Sequence, residues 1–220
     1  MRAQIVVIAK SPEPGRVKTR LTPPFTPLQA ARLAEAALRD TLATALGVPL
    51  ARHVLALDGA AGPWLPPGFD VMPQRGRGLD ERLAAAFADA YAQLPLPVVL
   101  IGMDTPQVGE DLLAEASGPL VNDSADAVLG PADDGGFWLL GLRRPDHRLL
   151  LDVPMSVPQT CAVQLSRLAA AGLRVRLLPV RTDVDNAADA FTVAAQAPHS
   201  RFATVLRGLA PMEPGPGGGA

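Results

Sequence analysis

Residues 4–21, QIVVIAKSPEPGRVKTRL, decide how the chain is read. Ile5, Val6, Val7 and Ile8 are β-branched and apolar, a run suited to a strand covered on both faces. The next residues cannot continue that strand. Pro12, Pro14 and Gly15 break regular structure, and Lys10, Arg16, Lys18 and Arg20 place four cations within eleven residues. A helical pattern then begins near Thr26. Buried strand, tight basic loop and helix in succession is how α/β proteins hold a phosphate or another anion. A solvated basic loop has the same composition, so the choice between the two rests on the rest of the chain.

At 220 residues, with 48% hydrophobic and 19% charged residues, the chain suits one globular domain with a sizeable core. The formal charge of −2 makes no case for nucleic acid as a partner, so an anion site has to come from local clustering. The single cysteine, Cys161, excludes a disulfide framework and a cysteine-based zinc site. His53, His147 and His199 are far apart and read as surface or packing residues. No apolar run approaches the ~20 residues that span a bilayer, and the N-terminal one is too short for a signal peptide. A cytoplasmic protein without a membrane partner is the expectation.

Helix and strand patterns alternate along the chain. Thr26, Pro27 and Gln29 form a helix start with a capping box, and Gly47 is its natural stop. Strands are expected over 53–57, 69–72, 98–101, 127–129, 137–142 and 174–180. Helices are expected over 79–94, 110–116, 158–171, 186–197 and 202–209. This alternation implies a mostly parallel sheet with helices on both faces. The two strands flanking Asp134 are too closely connected for a parallel crossover, so antiparallel pairing is expected there. Residues 1–210 form the expected domain, and the Pro/Gly-rich 211–220 a disordered tail.

Ligands in open α/β sheets sit outside the carboxyl ends of the strands. Asp104 follows the buried run VVLIGM and is a candidate ligand for a hard cation, or else the cap of a turn at Pro106. Asp183 and Asp185 alternate after RVRLLPV, so one is expected to face the site and the other to cap the helix starting near Asn186. Asp133-Asp134-Gly135-Gly136 joins two strands, either as an acidic hairpin turn or as a backbone approach to a ligand. A basic loop with isolated aspartates at later strand ends is what a nucleotide and Mg2+ require. Neither the dinucleotide nor the P-loop glycine fingerprint occurs.

The motifs AKSPEPGRVKTRL, QRGRGLDERL, GMDTP, GPADDGGFWLLGL and DVDNAAD, in this order, resemble the bacterial glycosyltransferase-like family of nucleotide-diphospho-sugar transferases. Its best-known branch is linked to arsenosugar biosynthesis. The resemblance implies a GT-A fold, a single Rossmann-like α/β domain binding a nucleotide sugar through Mg2+ or Mn2+. It implies that Ala9, Lys10, Gly15, Arg16, Lys18 and Arg20 line the nucleotide's phosphates, and that Gln74 and Gly78 read its base. Asp104 and Asp185 match the metal-binding acids, and Asp134, Gly135, Gly136 and Thr160 face the sugar or acceptor. Met155 stands where the family usually has Trp, and Asp80 where it commonly has glycine.

The expected activity is metal-dependent glycosyl transfer from a nucleotide sugar to a small acceptor. Asp134 would be the general base, and Lys18 and Arg20 would stabilise the leaving diphosphate. Nucleotidyl transfer from an NTP, as in phospholactate guanylyltransferase, is the alternative on the same fold. A non-catalytic nucleotide-binding protein is the third reading.

Overall fold

In the computed structural model, which describes residues 2–209, β1 (Gln4–Lys10) runs through the middle of the molecule and six of its seven residues are at least half-buried. Its odd-numbered side chains Ile5, Val7 and Ala9 pack on one face with Leu38 and Leu42 of α1 (Pro27–Gly47) and Leu113 and Leu120 of α3 (Glu110–Val121). The even-numbered Val6 and Ile8 pack on the other face with Phe87 of α2 (Leu79–Gln93) and Leu168 of α4 (Thr160–Ala170). This two-sided burial is why the strand reads as an unbroken apolar run.

The other strands are β2 (Arg52–Asp58), β3 (Asp70–Pro73), β4 (Val98–Gly102), β5 (Ala127–Pro131), β6 (Phe137–Leu142) and β7 (Val175–Leu177). Their order is β3-β2-β1-β4-β6-β5-β7. Every pairing is parallel except those of β6, which runs against β4 and β5. The expected mixed, mostly parallel sheet with helices on both faces is therefore the fold, antiparallel pairing beside Asp134 included. One topological consequence positions the site. The ends of β1, β3 and β4, the start of β6 and the chain after β7 all emerge at the same edge.

Expected features form where local physics acts alone. The Thr26 capping box is present, with Thr26 N donating to Gln29 Oε1 at 2.8 Å and Gln29 N to Thr26 Oγ1 at 3.3 Å. Helix α3 corrects the expected 110–116, because it continues through Pro119 to Val121. Burial of Leu113, Ala116 and Leu120 against the sheet offsets the hydrogen bond that Pro119 removes. A second correction concerns α5 (Ala187–Gln196). Neither Asp183 nor Asp185 caps it; Asn186 does, in a capping box with Asp189. His53 is a packing residue as expected, its ring 5.9 Å from Phe69 in an edge-on contact. The expected tail, 211–220, lies outside the described residues, and among these no helix is long and apolar enough to cross a membrane.

Helix α6 (Arg201–Leu209) closes over α1 through one buried charge. Asp40, 8% exposed, accepts from Phe202 N at 2.8 Å and from Arg201 N at 3.2 Å, and pairs with the Arg201 guanidinium at 3.1 Å. Asp40→Ala strands those donors, and chemical denaturation is expected to show a loss of about 1–3 kcal/mol with little change in the denaturant slope.

Candidate active site

The edge where the strands converge opens into a cavity of about 610 Å³. Its lining divides by chain position. From Ile8 to Leu83 it carries Lys10, Arg16, Lys18, Arg20, Arg77 and Arg82 and no acid; from Leu100 to Asp185 it carries Asp104, Asp134, Asp183 and Asp185 and no cation. In space the two groups meet: Lys10, Arg77 and Arg82 lie toward β1–β3 and Asp134 toward β6, while Lys18 and Arg20 of the loop after β1 pair with Asp104 and Asp185.

The basic loop is pinned at both ends. Val17 is 5% exposed and Leu21 fully buried, the latter in a cluster with α1, α5 and α6. Between them Lys18 adopts a left-handed conformation (φ 49°, ψ 40°) that costs a non-glycine residue on the order of 1 kcal/mol. Its ammonium lies 2.7 Å from Asp104 Oδ1 and 3.7 Å from Asp185 Oδ1, and donates to the Val184 carbonyl. Arg20 Nη1 reaches the other oxygen of Asp185 at 3.2 Å. Arg16 pairs with Glu13 at 3.0 Å and sits at the mouth. Ala9 and Lys10 line the cavity; Gly15 takes the positive φ of 77° that turns the loop and is not part of the lining.

The acidic side is assembled by a segment that no local pattern reveals. After β7 the chain bridges to Ala132 through Arg181, and Thr182 Oγ1 donates to Asp133 Oδ2 at 2.6 Å. Val184 N then donates to Asp104 O at 2.9 Å, and Gln107 Nε2 to Thr182 O at 2.7 Å. Residues 181–185 thereby stitch the Asp134 turn to the end of β4. Both Asp183 and Asp185 face the cavity, not one of them. Asp183 is the site residue that sequence reasoning misses. Burial, followed by the carboxylates of Asp104 and Asp134, pushes its carboxyl up to about 8 against the opposing pull of Lys18. The alternating DxD after a strand is its signal, but the side to which each acid points is set by these long-range hydrogen bonds.

Asp134 is held in an Asx turn, its Oδ1 accepting from Gly136 N at 2.7 Å. Gly135 has φ 89°, and a Cβ there would lie 2.1 Å from Pro158 O, so the turn is locked against the start of α4. Gly136 lines the cavity and Gly135 supports it from behind. Thr160 is 3% exposed, and its hydroxyl, with one proton to donate, lies 2.8 Å from both Pro154 O and Val157 O within the loop. It shapes the wall that carries Met155 and Ser156.

Gln74 is likewise committed. Its amide donates to Ala9 O at 2.7 Å and Ala56 O at 3.0 Å; Oε1 accepts from Arg82 Nη1 at 3.4 Å and keeps its second lone pair to meet a base. Arg82 is fixed in turn by Asp58 at 2.7 Å, which holds the Asp58 carboxyl below its ordinary range. Gly78 is the N-cap of α2 and does not line the cavity; a Cβ there would meet Asp80 Oδ1 at 2.3 Å.

The oxygens around Lys18 Nζ fit a hard divalent cation. Asp104 Oδ1 is buried with the Lys18 ammonium as its partner, and two carboxylates with one carbonyl converge on that single point. Among the described residues no set of three or more His, Cys, Asp or Glu side chains is arranged to hold a metal alone. Such a set suits Mg2+ or Mn2+ completed by phosphate oxygens and water.

Solved structures similar to the chain include a candidate nucleotide-diphospho-sugar transferase from Desulfovibrio desulfuricans, 26% identical with a TM-score of 0.86 over 94% of this chain and 95% of that one. CMP:2-keto-3-deoxy-manno-octonic acid synthetase complexed with CTP is 15% identical, with a TM-score of 0.56 over 90% of this chain and 99% of that one. Rv0371c of Mycobacterium tuberculosis in complex with manganese is 23% identical, with a TM-score of 0.53 over 88% and 97%. The last two likenesses extend to the fold alone. No curated protein matches the chain. A family model described as an uncharacterized protein conserved in bacteria, DUF2064, matches residues 32–157.

Proposed function

The chain belongs to DUF2064, a family of uncharacterized proteins conserved in bacteria, and from that premise we propose that it is a metal-dependent glycosyltransferase acting on a nucleotide sugar and a small hydroxyl-bearing acceptor. The observation that carries this reading is the division of charge across the cavity. A diphosphate finds cations along the basic loop and α2, with Lys10, Arg16, Lys18, Arg20, Arg77 and Arg82 in the lining. Beside β6 an acceptor meets Asp134, which has no ion-pair partner among the described residues, with Asp183 next to it. A phosphate acceptor, as in nucleotidyl transfer of the phospholactate guanylyltransferase kind, is disfavoured beside the Asp134 carboxylate, whereas a hydroxyl acceptor needs a carboxylate to take its proton.

Asp104 and Asp185, with the Val184 carbonyl, would hold the metal. When bound it supplies positive charge to the leaving diphosphate. Lys18, Arg20, Lys10 and Arg16 add positive charge where negative charge develops; Lys18 is largely buried, which strengthens its effect, and the other three are exposed. Asp134 is the proposed general base. Gly136 N occupies its Oδ1, which leaves Oδ2 to receive the acceptor's proton. Gln74 Oε1, oriented by two backbone carbonyls, is the proposed base-reading acceptor, and Ala9 belongs to the same nucleotide subsite; Gly78, outside the lining, supports it as the N-cap of α2. Gly135, Gly136 and Thr160 would shape the acceptor wall. Likeness to a candidate nucleotide-diphospho-sugar transferase supports the donor class.

Incubating the protein with Mn2+ and a panel of NTPs and nucleotide sugars tests the reading through its by-product. Release of a nucleoside diphosphate from one nucleotide sugar is the expected result. Pyrophosphate release from an NTP would replace it with nucleotidyl transfer.

A further inference from the structure

We propose that in the free protein the Lys18 ammonium holds the cation position of the site, so that a divalent metal is accepted together with a diphosphate and not by itself. This rests on the reading of Asp104 and Asp185 as metal ligands.

The ammonium is only 9% exposed and has oxygen atoms from two separate segments around it: Asp104 Oδ1 at 2.7 Å, Asp185 Oδ1 at 3.7 Å and the Val184 carbonyl. These are hard, anionic or dipolar oxygens, the donors that a small divalent cation takes. Arg20 Nη1 neutralises the remaining oxygen of Asp185 at 3.2 Å. Two carboxylates therefore already face two cations. A bare metal ion entering this cluster must displace the ammonium and would leave Lys18 and Arg20 unpaired beside a dication. Like charges a few ångströms apart in a partly buried site make that arrangement unfavourable.

A diphosphate reverses the balance. It brings anionic oxygens for Lys18 and Arg20 to pair with at the same moment that the carboxylates exchange a monovalent partner for a divalent one. The exchange needs no refolding of the loop. Val17 and Leu21 stay buried, and the flexible stem of Lys18 carries the ammonium from carboxylate to phosphate through side-chain rotation. Lys18 thus couples the two ligands: each makes room for the other.

The test measures Mn2+ binding to the nucleotide-free full chain by electron paramagnetic resonance, with thermal melts alongside. Lys18→Met and Lys18→Gln are expected to bind Mn2+ about tenfold or more tightly than the wild type, as removal of a nearby like charge requires. Both variants are expected to melt lower than wild type without metal and to regain that loss with Mn2+, a rescue that a merely structural lysine would not show. Variants that bind Mn2+ no more tightly than wild type, with melting temperatures the metal does not restore, overturn the proposal. Tight Mn2+ binding by the wild type alone, lost in Asp104→Asn, overturns it while leaving the metal reading intact. Mn2+ binding that survives Asp104→Asn in the Lys18→Met background lies elsewhere and overturns the metal reading and the proposal together.

Discussion

Asp104→Asn is expected to abolish the metal-dependent thermal stabilisation by nucleotide sugars and to lower turnover by about a thousandfold, which corresponds to the several kcal/mol a catalytic metal contributes. Asp104 is singled out by position. It closely follows β4, where the basic loop meets the acidic residues, and its buried Oδ1 faces the Lys18 ammonium at 2.7 Å. Asn keeps the volume and loses the charge, so a metal ligand fails while the fold persists. The control is the melting temperature without ligand, which should change little compared with the lost ligand response. Thermal shift against UDP-, GDP- and dTDP-sugars, each with and without Mn2+, reads both quantities at once. Unaltered Mn2+-dependent stabilisation in the variant would remove Asp104 from the metal site.

The second large effect separates catalysis from binding. Asp134→Asn is expected to reduce kcat by about 10²–10⁴, the range of a positioned general base, and to leave nucleotide-sugar binding near wild type. The Asx turn makes the comparison clean. Asn can still accept from Gly136 N through its amide oxygen, so the turn geometry and the Gly135 contact with Pro158 survive the substitution. The variant loses only the oxygen that receives a proton. Wild-type turnover in Asp134→Asn would transfer the role to another acid, and Asp183, which lines the same cavity near Asp104 and Asp134, would be the one to examine next.

Much of the fold was legible in the sequence because its determinants are local or statistical. The apolar run of β1 is buried on both faces by the layers around it, and such burial leaves a β-branched run with no alternation. The Thr26 capping box is complete within four residues. The reversed direction of β6 comes from a connection too short to cross over. Ordered motifs located the loop, the β4 aspartate and the DGG turn on one sheet edge, because ligands collect where parallel strands end.

Orientation within the site was a different matter. The sequence determined that Asp104, Asp134, Asp183 and Asp185 exist near strand ends, and that Lys18 and Arg20 lie in a basic loop. Only the tertiary structure decided that Asp183 turns into the cavity beside Asp104 and Asp134, and that Gln74 commits its donors to backbone carbonyls. The reason is physical. Each of these outcomes hangs on hydrogen bonds between residues far apart in the chain: Val184 N to Asp104 O, Thr182 to Asp133, Gln74 to Ala9. A sequence pattern carries the residue types and their spacing along one segment. It does not carry the register in which one segment lies against another, and it is that register that aims the side chains of this site.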